Sequence, residues 1–586
     1  MSCPSPPAPD AAFRDLPSLV AAHARARPTA PALSCGPRTL DWAGFDAQVE
    51  RVAASLQRDG LVARQCVAIC AAASIGYVVA FVGALRAGLA VAPLAPGSTP
   101  EQLAAMAGDA RARLVFVDAP TAARGVAWPD GARIVPVEAL ESDAPSTAPP
   151  SITPPSSGSL PSCSSSASSP PWLCAPGTRA KPVAIEPDWP FNIIYSSGTT
   201  GTPKGIVQPH AMRWAHVRRG ALSGYGPQAR TLIATPLYSN TTLVCLMPTL
   251  GWGGCAVLMP KFEVEGYLAL AEAERITHTM LVPVQYQRLM AHPRFGAHDL
   301  SSFRFKFCTS APFAAELKAD VLARWPGGLV EYYGMTEGGG TCILHAHVHP
   351  HKLHTVGQPS EGHDIRLIDE QGVEVPRHTP GGASVASGEV VGRSPAMMTG
   401  YHGQSALTRE AEWFDEQGRR YIRTGDIGRF DADGFLILHD RRKDMVISGG
   451  FNIYPSDLEA VLRQHPQVAD VAVAGVPSAR WGETPVAFVV ARPNPAPCGP
   501  AASSTSEEAP SLSPGMSQPA LAATLRDWAN AQLGKTQRLA AVQLMAELPR
   551  NAIGKVLKRE LRAHWIAQHE TPDPGADPSG TPGAQP

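Results

Sequence analysis

Seven short apolar runs punctuate the chain: CVAICAAAS from residue 66, ARLVFVDA from 112, FNIIYSS from 191, ARTLIATP from 229, HTMLVPV from 278, FRFKFCTS from 303 and GLVEYYG from 328. Amphipathic stretches of helix length separate them, and strands spaced by helices predict a parallel α/β architecture. Several runs end in Ser, Thr, Gly or Pro. In open α/β sheets ligands bind beyond the carboxyl ends of the strands, so candidate site residues are sought there. The span from Thr231 to Pro260 carries no charge, but Pro236, Pro248, Gly251, Gly253 and Gly254 interrupt it and Ser239, Asn240, Thr241 and Thr242 make it polar. It reads as a buried strand–helix–strand segment, and no transmembrane segment is expected.

The length of 586 residues exceeds what one hydrophobic core serves, so at least two domains are expected. Beyond about residue 445 the pattern changes to a compact α+β unit: a helix at 456–464, strands near 468–475 and 485–491, a helix near 519–533, a strand near 541–547 and a final helix. Ser- and Pro-rich composition sets apart Ala144–Pro171, Arg492–Ser517 and the tail from Thr571. Such segments bury too little apolar surface to offset their ordering entropy, so they are expected to be mobile insertions or ends without chemistry.

Charge is nearly balanced, 50 Lys+Arg against 51 Asp+Glu, which gives no sequence-wide reason to expect a nucleic acid or an anionic membrane as partner. Any anion site must be local. Eleven cysteines occur without C-x-x-C pairs, and the opening MSCPSPPAPDAAFRDL lacks the basic start and apolar run of a secretion signal. A reducing, cytoplasmic location is the expectation.

The strongest local motif is Tyr195-Ser-Ser-Gly-Thr-Thr-Gly-Thr-Pro-Lys-Gly205, directly after the apolar FNII. Glycines permit tight turns, exposed N–H groups and hydroxyls donate to phosphate oxygens, and Lys204 adds positive charge, a design suited to a triphosphate. The Walker pattern is excluded by the spacing from Gly198 to Lys204 and by the absence of Ser or Thr after the lysine.

This segment resembles the signature loop of the adenylate-forming superfamily, which contains acyl-CoA synthetases, aryl-CoA ligases, luciferases and peptide-synthetase adenylation domains. Four further segments agree in kind and order: Tyr333-Gly-Met-Thr-Glu337, Thr424-Gly-Asp426, Arg441-Arg-Lys-Asp444 and Asn551-Ala-Ile-Gly-Lys555. The resemblance covers nearly the whole chain from about residue 12 to 566, apart from the insertions. It implies a large N-terminal AMP-binding domain with parallel-rich sheets over 12–442, a small mobile α+β C-terminal domain over 443–566 and a tail over 567–586.

The resemblance also implies roles, each with a physical reason. Ser196, Ser197, Gly198, Thr199, Thr200, Gly201 and Lys204 would cradle the ATP phosphates. Tyr333 and Gly334 would lie against adenine together with Ser310, Ala311 and Pro312. Thr336 would hydrogen-bond the α-phosphate, and Glu337 would hold Mg²⁺ through a hard oxygen ligand. Asp426, an acceptor with two oxygens, and Arg441 would bind the ribose. Lys555 would bridge the acid's carboxylate and the α-phosphate as charge develops. Lys443 would be the hinge about which the small domain turns for the second half-reaction. In the segment Ile447 to Pro455, Ser448, Gly449 and Gly450 would let the pantetheine arm of coenzyme A pass close to backbone.

Two segments depart from the family pattern. Ser239, in Pro236-Leu-Tyr-Ser-Asn240, stands where many relatives have His, and Thr309-Ser-Ala-Pro312 replaces the more usual Gly-Gly-Ala-Pro. The acyl pocket is expected to involve Tyr238, Ser239, Met335 and Gly338, with Trp252 as a further apolar wall and Gly338, Gly339 and Gly340 leaving room. His210 either borders that pocket or packs at a helix start. His345, His347, His349, His351 and His354 alternate as a metal site would require, but Pro350 interrupts the strand, so a loop bordering the acyl pocket is expected instead.

The implied activity is an ATP- and Mg²⁺-dependent carboxylic acid:CoA ligase that forms acyl-AMP and then acyl-CoA. Its acid would be fatty or aromatic, with fatty placed slightly ahead. A stand-alone adenylation enzyme loading a carrier-protein phosphopantetheine is the second reading. A catalytically inactive nucleotide-binding homologue is the third, and the presence of both Lys204 and Lys555 argues against it. Oligomeric state is not legible.

Overall fold

The computed structural model describes residues 12–140, 172–196, 203–376, 387–441, 444–448, 451–478, 480–492, 518–534, 537–551 and 554–569. The expected insertions and tail fall almost wholly outside these. Two compact units divide the chain, the larger holding most residues up to Ile437 and the smaller running from Leu438 onward.

The larger unit is built on the expected strands. Those named below are β1 (Pro190–Ser196), β2 (Lys204–Pro209), β3 (Phe305–Cys308) and β4 (Gly328–Tyr333), with helices α1 (His210–Gly220) and α2 (Asn240–Gly251). In one sheet β4, β3 and the strands His278–Leu281, Arg230–Ile233, Cys255–Leu258 and Pro31–Cys35 lie parallel in that order. In a second sheet β1 lies parallel to Ala90–Pro93, which continues to Cys66–Cys70, Ala112–Val117 and Arg133–Pro136. One continuous core joins Ile69, Val91 and Phe116 of the second sheet to Ile233, Phe307 and Val330 of the first, with Leu243, Leu246 and Leu250 of α2 among them. Apolar runs buried on both faces are what a parallel sheet covered by helices demands.

Helices α1 and α2 approach closely because small residues face large ones. A Cβ on Gly251 would come within 2.6 Å of Val217, and one on Gly220 within 2.6 Å of Pro248. The segment Thr231–Pro260 is the strand–helix–strand unit read from sequence, and Ser239 explains where its helix starts by accepting from the Thr241 amide at 3.3 Å.

The histidine cluster lies elsewhere than expected. The strand β5 (Cys342–His345) runs antiparallel to β4, pairing Cys342 with Tyr333 and His345 with Val330, so it carries the chain back toward the amino ends of the strands. There His347 packs edge-on against Phe305 at 5.9 Å and His349 against Phe435 at 5.1 Å. The reversal of direction at β5 is the reason these histidines do not border a site at the carboxyl ends. Among the described residues no cluster of His, Cys, Asp and Glu is arranged to hold a metal.

A short strand, β6 (Gly400–Tyr401), pairs with β2, and the long β7 (Arg420–Phe430) carries Thr424-Gly-Asp426 across the division between the units. In the smaller unit β8 (Val446–Ser448), β9 (Val468–Ser478) and β10 (Gly482–Ala491) form an antiparallel sheet, and Ala541–Leu544 adds parallel to β10. Helices α3 (Pro455–Arg463), α4 (Gln518–Gln532) and α5 (Lys558–His569) complete it. Leu458 and Leu462 of α3 and Leu525 and Ala529 of α4 bury against Val471, Val473 and Val489 in a core of the unit's own.

Candidate active site

The hairpin β1–β2 pairs Ser196 with Lys204 and so places Lys204 at the mouth of the expected phosphate loop. Ser197, Gly198, Thr199, Thr200 and Gly201 lie outside the described residues, as does the side chain of Ser196. Next to the loop, Tyr195 donates its hydroxyl to Asp109 Oδ2 at 2.6 Å, and the His402 amide donates to the Gly205 carbonyl at 2.7 Å.

Glu337 is gripped from the segment that follows this hairpin in space. Tyr401, paired with Ile206 of β2, donates its phenol proton to Glu337 Oε1 at 2.9 Å, and the Met398 amide donates to the Glu337 carbonyl at 2.8 Å. Burial and the Glu337 charge push the Tyr401 ionisation upward, so the phenol stays a donor. The other carboxylate oxygen, Oε2, makes no hydrogen bond to a described residue.

Thr336 is held from behind by a buried polar network. Gln208, fully buried on β2, donates from Nε2 to the Thr336 carbonyl at 2.6 Å and to Asn240 Oδ1 at 3.3 Å. Its Oε1 accepts from Asn192 Nδ2 at 2.8 Å and from Arg213 Nη2. Arg213 in turn donates to Asn192 Oδ1 from Nε at 3.0 Å and from Nη2 at 2.9 Å. Burial lowers the Arg213 pKa to about 9, which leaves it cationic at neutral pH, and hydrogen bonds to amide oxygens spread the charge. None of these network residues was singled out for a role from sequence. A signal was available: Asn192 and Gln208 are polar residues inside otherwise apolar strand runs, which in a buried sheet must find partners.

The loop after β3 carries a strained residue. Ser310 has φ +81, in the left-handed region that costs a non-glycine residue about 1–2 kcal/mol. It occupies the position where the family pattern has glycine, and the Ser310 and Thr241 hydroxyls, 2.5 Å apart, tie the loop to α2. Thr309 donates to the Tyr332 carbonyl at 2.8 Å, linking the ends of β3 and β4. Tyr333, Gly334, Ala311 and Pro312 therefore lie beside one another at the carboxyl ends of these strands.

The expected acyl-pocket residues are distributed otherwise. Gly338 and Gly339 do have φ of +78 and +84, but a Cβ on Gly338 would fall 2.0 Å from the Ala396 carbonyl oxygen and one on Gly340 1.6 Å from Ile365. These glycines admit neighbouring backbone and side chains, not an acyl group. Met335 packs with Ile206, Met398 and Ile422. Tyr238 is partly buried, and Trp252 donates its indole N–H to the Val217 carbonyl at 2.7 Å. His210 takes the second of its two readings: it starts α1 with its ring edge-on to Phe191 at 5.0 Å, and burial lowers its pKa to about 4. A cavity beside these elements is lined by other residues, among them His216, Arg219, Tyr225, Pro248, Phe307 and Tyr332. Tyr332 was legible in principle, because alternation along a strand turns it to the face opposite Tyr333.

In the smaller unit Lys555 sits in a tight turn. Its amide donates to Asn551 Oδ1 at 2.9 Å, the Asn551 amide donates to the Lys555 carbonyl at 2.9 Å, and Gly554 takes φ +76. Arg550 clasps this turn by donating to the Gly554 carbonyl and to Asp470 Oδ2, both at 2.6 Å. Asp426 lies on β7, beyond Thr424, which donates to the Val390 carbonyl at 2.8 Å. Ser448 ends β8, while Gly449, Gly450 and Lys443 lie outside the described residues, as does the side chain of Arg441.

A family model described as AMP-binding enzyme matches residues 20–402, and one described as AMP-binding enzyme C-terminal domain matches residues 457–555. The chain belongs to the AMP-binding enzyme family. It is 36% identical over 383 residues to a feruloyl-CoA synthase of Amycolatopsis sp, covering 64% of this chain and 69% of that one. It is 31% identical over 491 residues to an indoleacetate–CoA ligase of Aromatoleum aromaticum, covering 80% and 86%. The ATP-bound structure of MatB from Rhodopseudomonas palustris is similar with a TM-score of 0.72 at 25% identity, covering 94% and 99%. The chain is accordingly an AMP-forming acid–thiol ligase that uses ATP, Mg²⁺ and coenzyme A. The site fits the metal, since Glu337 offers a hard oxygen, Oε2, while Oε1 is occupied by Tyr401. No helix among the described residues is long and apolar enough to cross a membrane.

Proposed function

We propose that the ligase activates an aromatic carboxylic acid at the carboxyl ends of β3 and β4, and that the residues assigned from sequence carry its two half-reactions. One observation carries this reading: Gln208 on β2 and Tyr401 on the adjoining β6 reach the Thr336 carbonyl and the Glu337 carboxylate, so one sheet edge orients both residues beside Lys204.

In the first half-reaction a carboxylate oxygen of the acid attacks the α-phosphorus of ATP, the bond to the bridging oxygen breaks, and pyrophosphate leaves. Ser196 to Gly201 and Lys204 hold the outgoing phosphates, and Thr336 donates to the α-phosphate. Glu337 holds Mg²⁺, which when bound offsets phosphate charge. Tyr333, Gly334 and the segment Ser310 to Pro312 flank adenine, while Asp426 and Arg441 bind ribose. Lys555 stabilises the negative charge shared by the carboxylate and the α-phosphate, so its contribution is electrostatic and positional. In the second half-reaction the small domain, with its boundary at 442/443, turns about Lys443 and presents Ser448, Gly449 and Gly450 to coenzyme A. The thiolate attacks the acyl carbon, the carbon–sulfur bond forms, the acyl–phosphate bond breaks and AMP leaves.

An aromatic acid is favoured over a fatty one by the two relatives named for aryl acids. The test is incubation with MgATP, coenzyme A and a panel of fatty and aryl acids, read by mass spectrometry. The expected result is an aryl-CoA thioester with equimolar AMP. Acyl-AMP without thioester would transfer the reading to a carrier-protein acceptor, and preference for fatty acids would refute the aromatic assignment.

A further inference from the structure

The stems of the phosphate loop are gripped by groups from outside their own hairpin. Tyr195, the residue before Ser196, donates its hydroxyl to Asp109 Oδ2 at 2.6 Å. Pro203, directly before Lys204, accepts from Gln404 Nε2 at 3.0 Å through its carbonyl. Gly205, directly after Lys204, accepts from the His402 amide at 2.7 Å, and the His402 ring turns Nδ1 toward the same Asp109 oxygen at 3.7 Å. Tyr401, next to His402, holds Glu337 Oε1. The segment 401–404 therefore links the second stem of the loop to Glu337, while Asp109 meets the first stem directly and faces the second through His402.

The stability of its own helix does not account for a carboxylate at Asp109. It is the last residue of the helix Pro100–Asp109, where the helix dipole disfavours negative charge, and Asp is a poor helix former. The helix packs through Leu103 and Ala107 into the apolar cluster that Tyr195 and Val207 also touch, which brings Asp109 beneath the hairpin. Gly205 makes the close approach possible. It pairs with Tyr195 across the hairpin, and a Cβ there would fall 3.1 Å from Tyr195 Cε1 and 3.2 Å from Asp109 Oδ2. Burial, and then the neighbouring carboxylate, push the Tyr195 ionisation upward, so the phenol keeps the proton it donates. A hydrogen bond to an ionised acceptor is short and strong, and the Asp109 side chain is only 26% exposed to competing water.

We propose that Asp109 is a positioning residue for ATP, with Gln404 as its counterpart on the other stem, and that together they fix where the mouth of the phosphate loop stands relative to Glu337. This rests on the adenylating reading above. The ladder between β1 and β2 sets the spacing of the two stems, and the external contacts set their orientation. Both residues act through Tyr195, Pro203 and the segment 401–404, without touching nucleotide themselves. AMP lacks the outgoing phosphates and relies on the adenine and ribose contacts, so Asp109 and Gln404 matter for ATP and not for AMP.

The experiment measures the Kd of the full chain for MgATP and for AMP by isothermal titration calorimetry, with no acid present. The wild type is set beside Asp109→Ala, Tyr195→Phe and Gln404→Ala, each checked for folding by thermal unfolding. Asp109→Ala should weaken MgATP about tenfold, as expected for one lost hydrogen bond to a charged group, and leave AMP within about twofold. Tyr195→Phe keeps the ring in its apolar setting and should show the same split, so it decides the matter where Asp109→Ala does not fold. The double variant should lose about as much as the larger single one, because both changes delete the same bond. Gln404→Ala should weaken MgATP by about threefold, since its bond is to a neutral carbonyl. Unchanged MgATP affinity in folded Asp109→Ala and Tyr195→Phe, or equal weakening of AMP, would overturn the proposal while leaving the ligase reading intact. A wild type that binds AMP but not MgATP would overturn it together with the phosphate-loop assignment, and one that binds neither would overturn the adenylating reading itself.

Discussion

Thr336 and Glu337 in the larger unit and Lys555 in the smaller one are held by different kinds of structure. Behind Thr336 stand Gln208, Asn192 and Arg213, fully or almost fully buried and joined by hydrogen bonds in which every partner depends on the next. Around Lys555 there is a five-residue turn, closed by Asn551 and clasped by Arg550, whose ion pair with Asp470 is partly exposed at 27% and 31%. A desolvated network positions a group once and resists adjustment, because breaking any link leaves a buried polar atom unpaired. A surface turn loses little when its neighbours change, since water substitutes for lost partners. On the roles proposed above, the difference suits a large-unit site common to both half-reactions and a lysine needed in only one.

Substitutions sharpen or break this contrast. The largest effect is expected for Lys555→Ala, which should slow adenylation about 10²–10³-fold while leaving thioester formation from supplied acyl-AMP within a few-fold, with stability nearly unchanged. Pyrophosphate release and single-turnover thioester assays measure the two steps, and equal loss in both would erase the division of labour. Gln208→Leu should cost about 2–4 kcal/mol of stability, because the Thr336 carbonyl and the Arg213 guanidinium lose a buried partner together. Denaturant unfolding reads it, and a stable variant with normal adenylation would show that Thr336 needs no support from behind.

A smaller effect belongs to Tyr401→Phe, which removes one hydrogen bond to a charged carboxylate and should cost about 1.5–3 kcal/mol at most. Because the ring remains, the loss should appear chiefly as a higher Mg²⁺ requirement for adenylation; an unaltered Mg²⁺ titration would detach Tyr401 from the site. The smallest change is Ser310→Gly. Relief of the left-handed strain is offset by loss of the contact with Thr241 and by added chain freedom, so a net stabilisation below about 1 kcal/mol is expected from the melting temperature. A clear destabilisation would show that the Ser310–Thr241 contact outweighs the backbone strain.

Much of the architecture was legible because periodicity is local. The runs at 66, 112, 191, 229, 278, 303 and 328 each became a strand, and the elements expected beyond 445 appear within a few residues of their expected places. The motif residues at the strand ends were legible for the same reason. The lining of the cavity was not: Arg219, Tyr225, Pro248 and Phe307 are scattered over nearly ninety residues and meet only because α1 and α2 pack through glycines onto a parallel sheet. The glycines after Glu337 misled for a related reason. A missing side chain signals close approach, but the sequence does not say of what, and here it is the backbone of Gly392 and Ala396.

The chain's residues alone thus determine the strand–helix alternation, the ordered motifs and the chemistry those motifs serve, since each depends on neighbours within a dozen positions. Tertiary structure alone decided that the His345–His354 segment turns away from the site and that Gln208 and Tyr401 hold Thr336 and Glu337. Those outcomes depend on the direction of a returning strand and on which helix faces which, and such long-range geometry is set by packing the whole core.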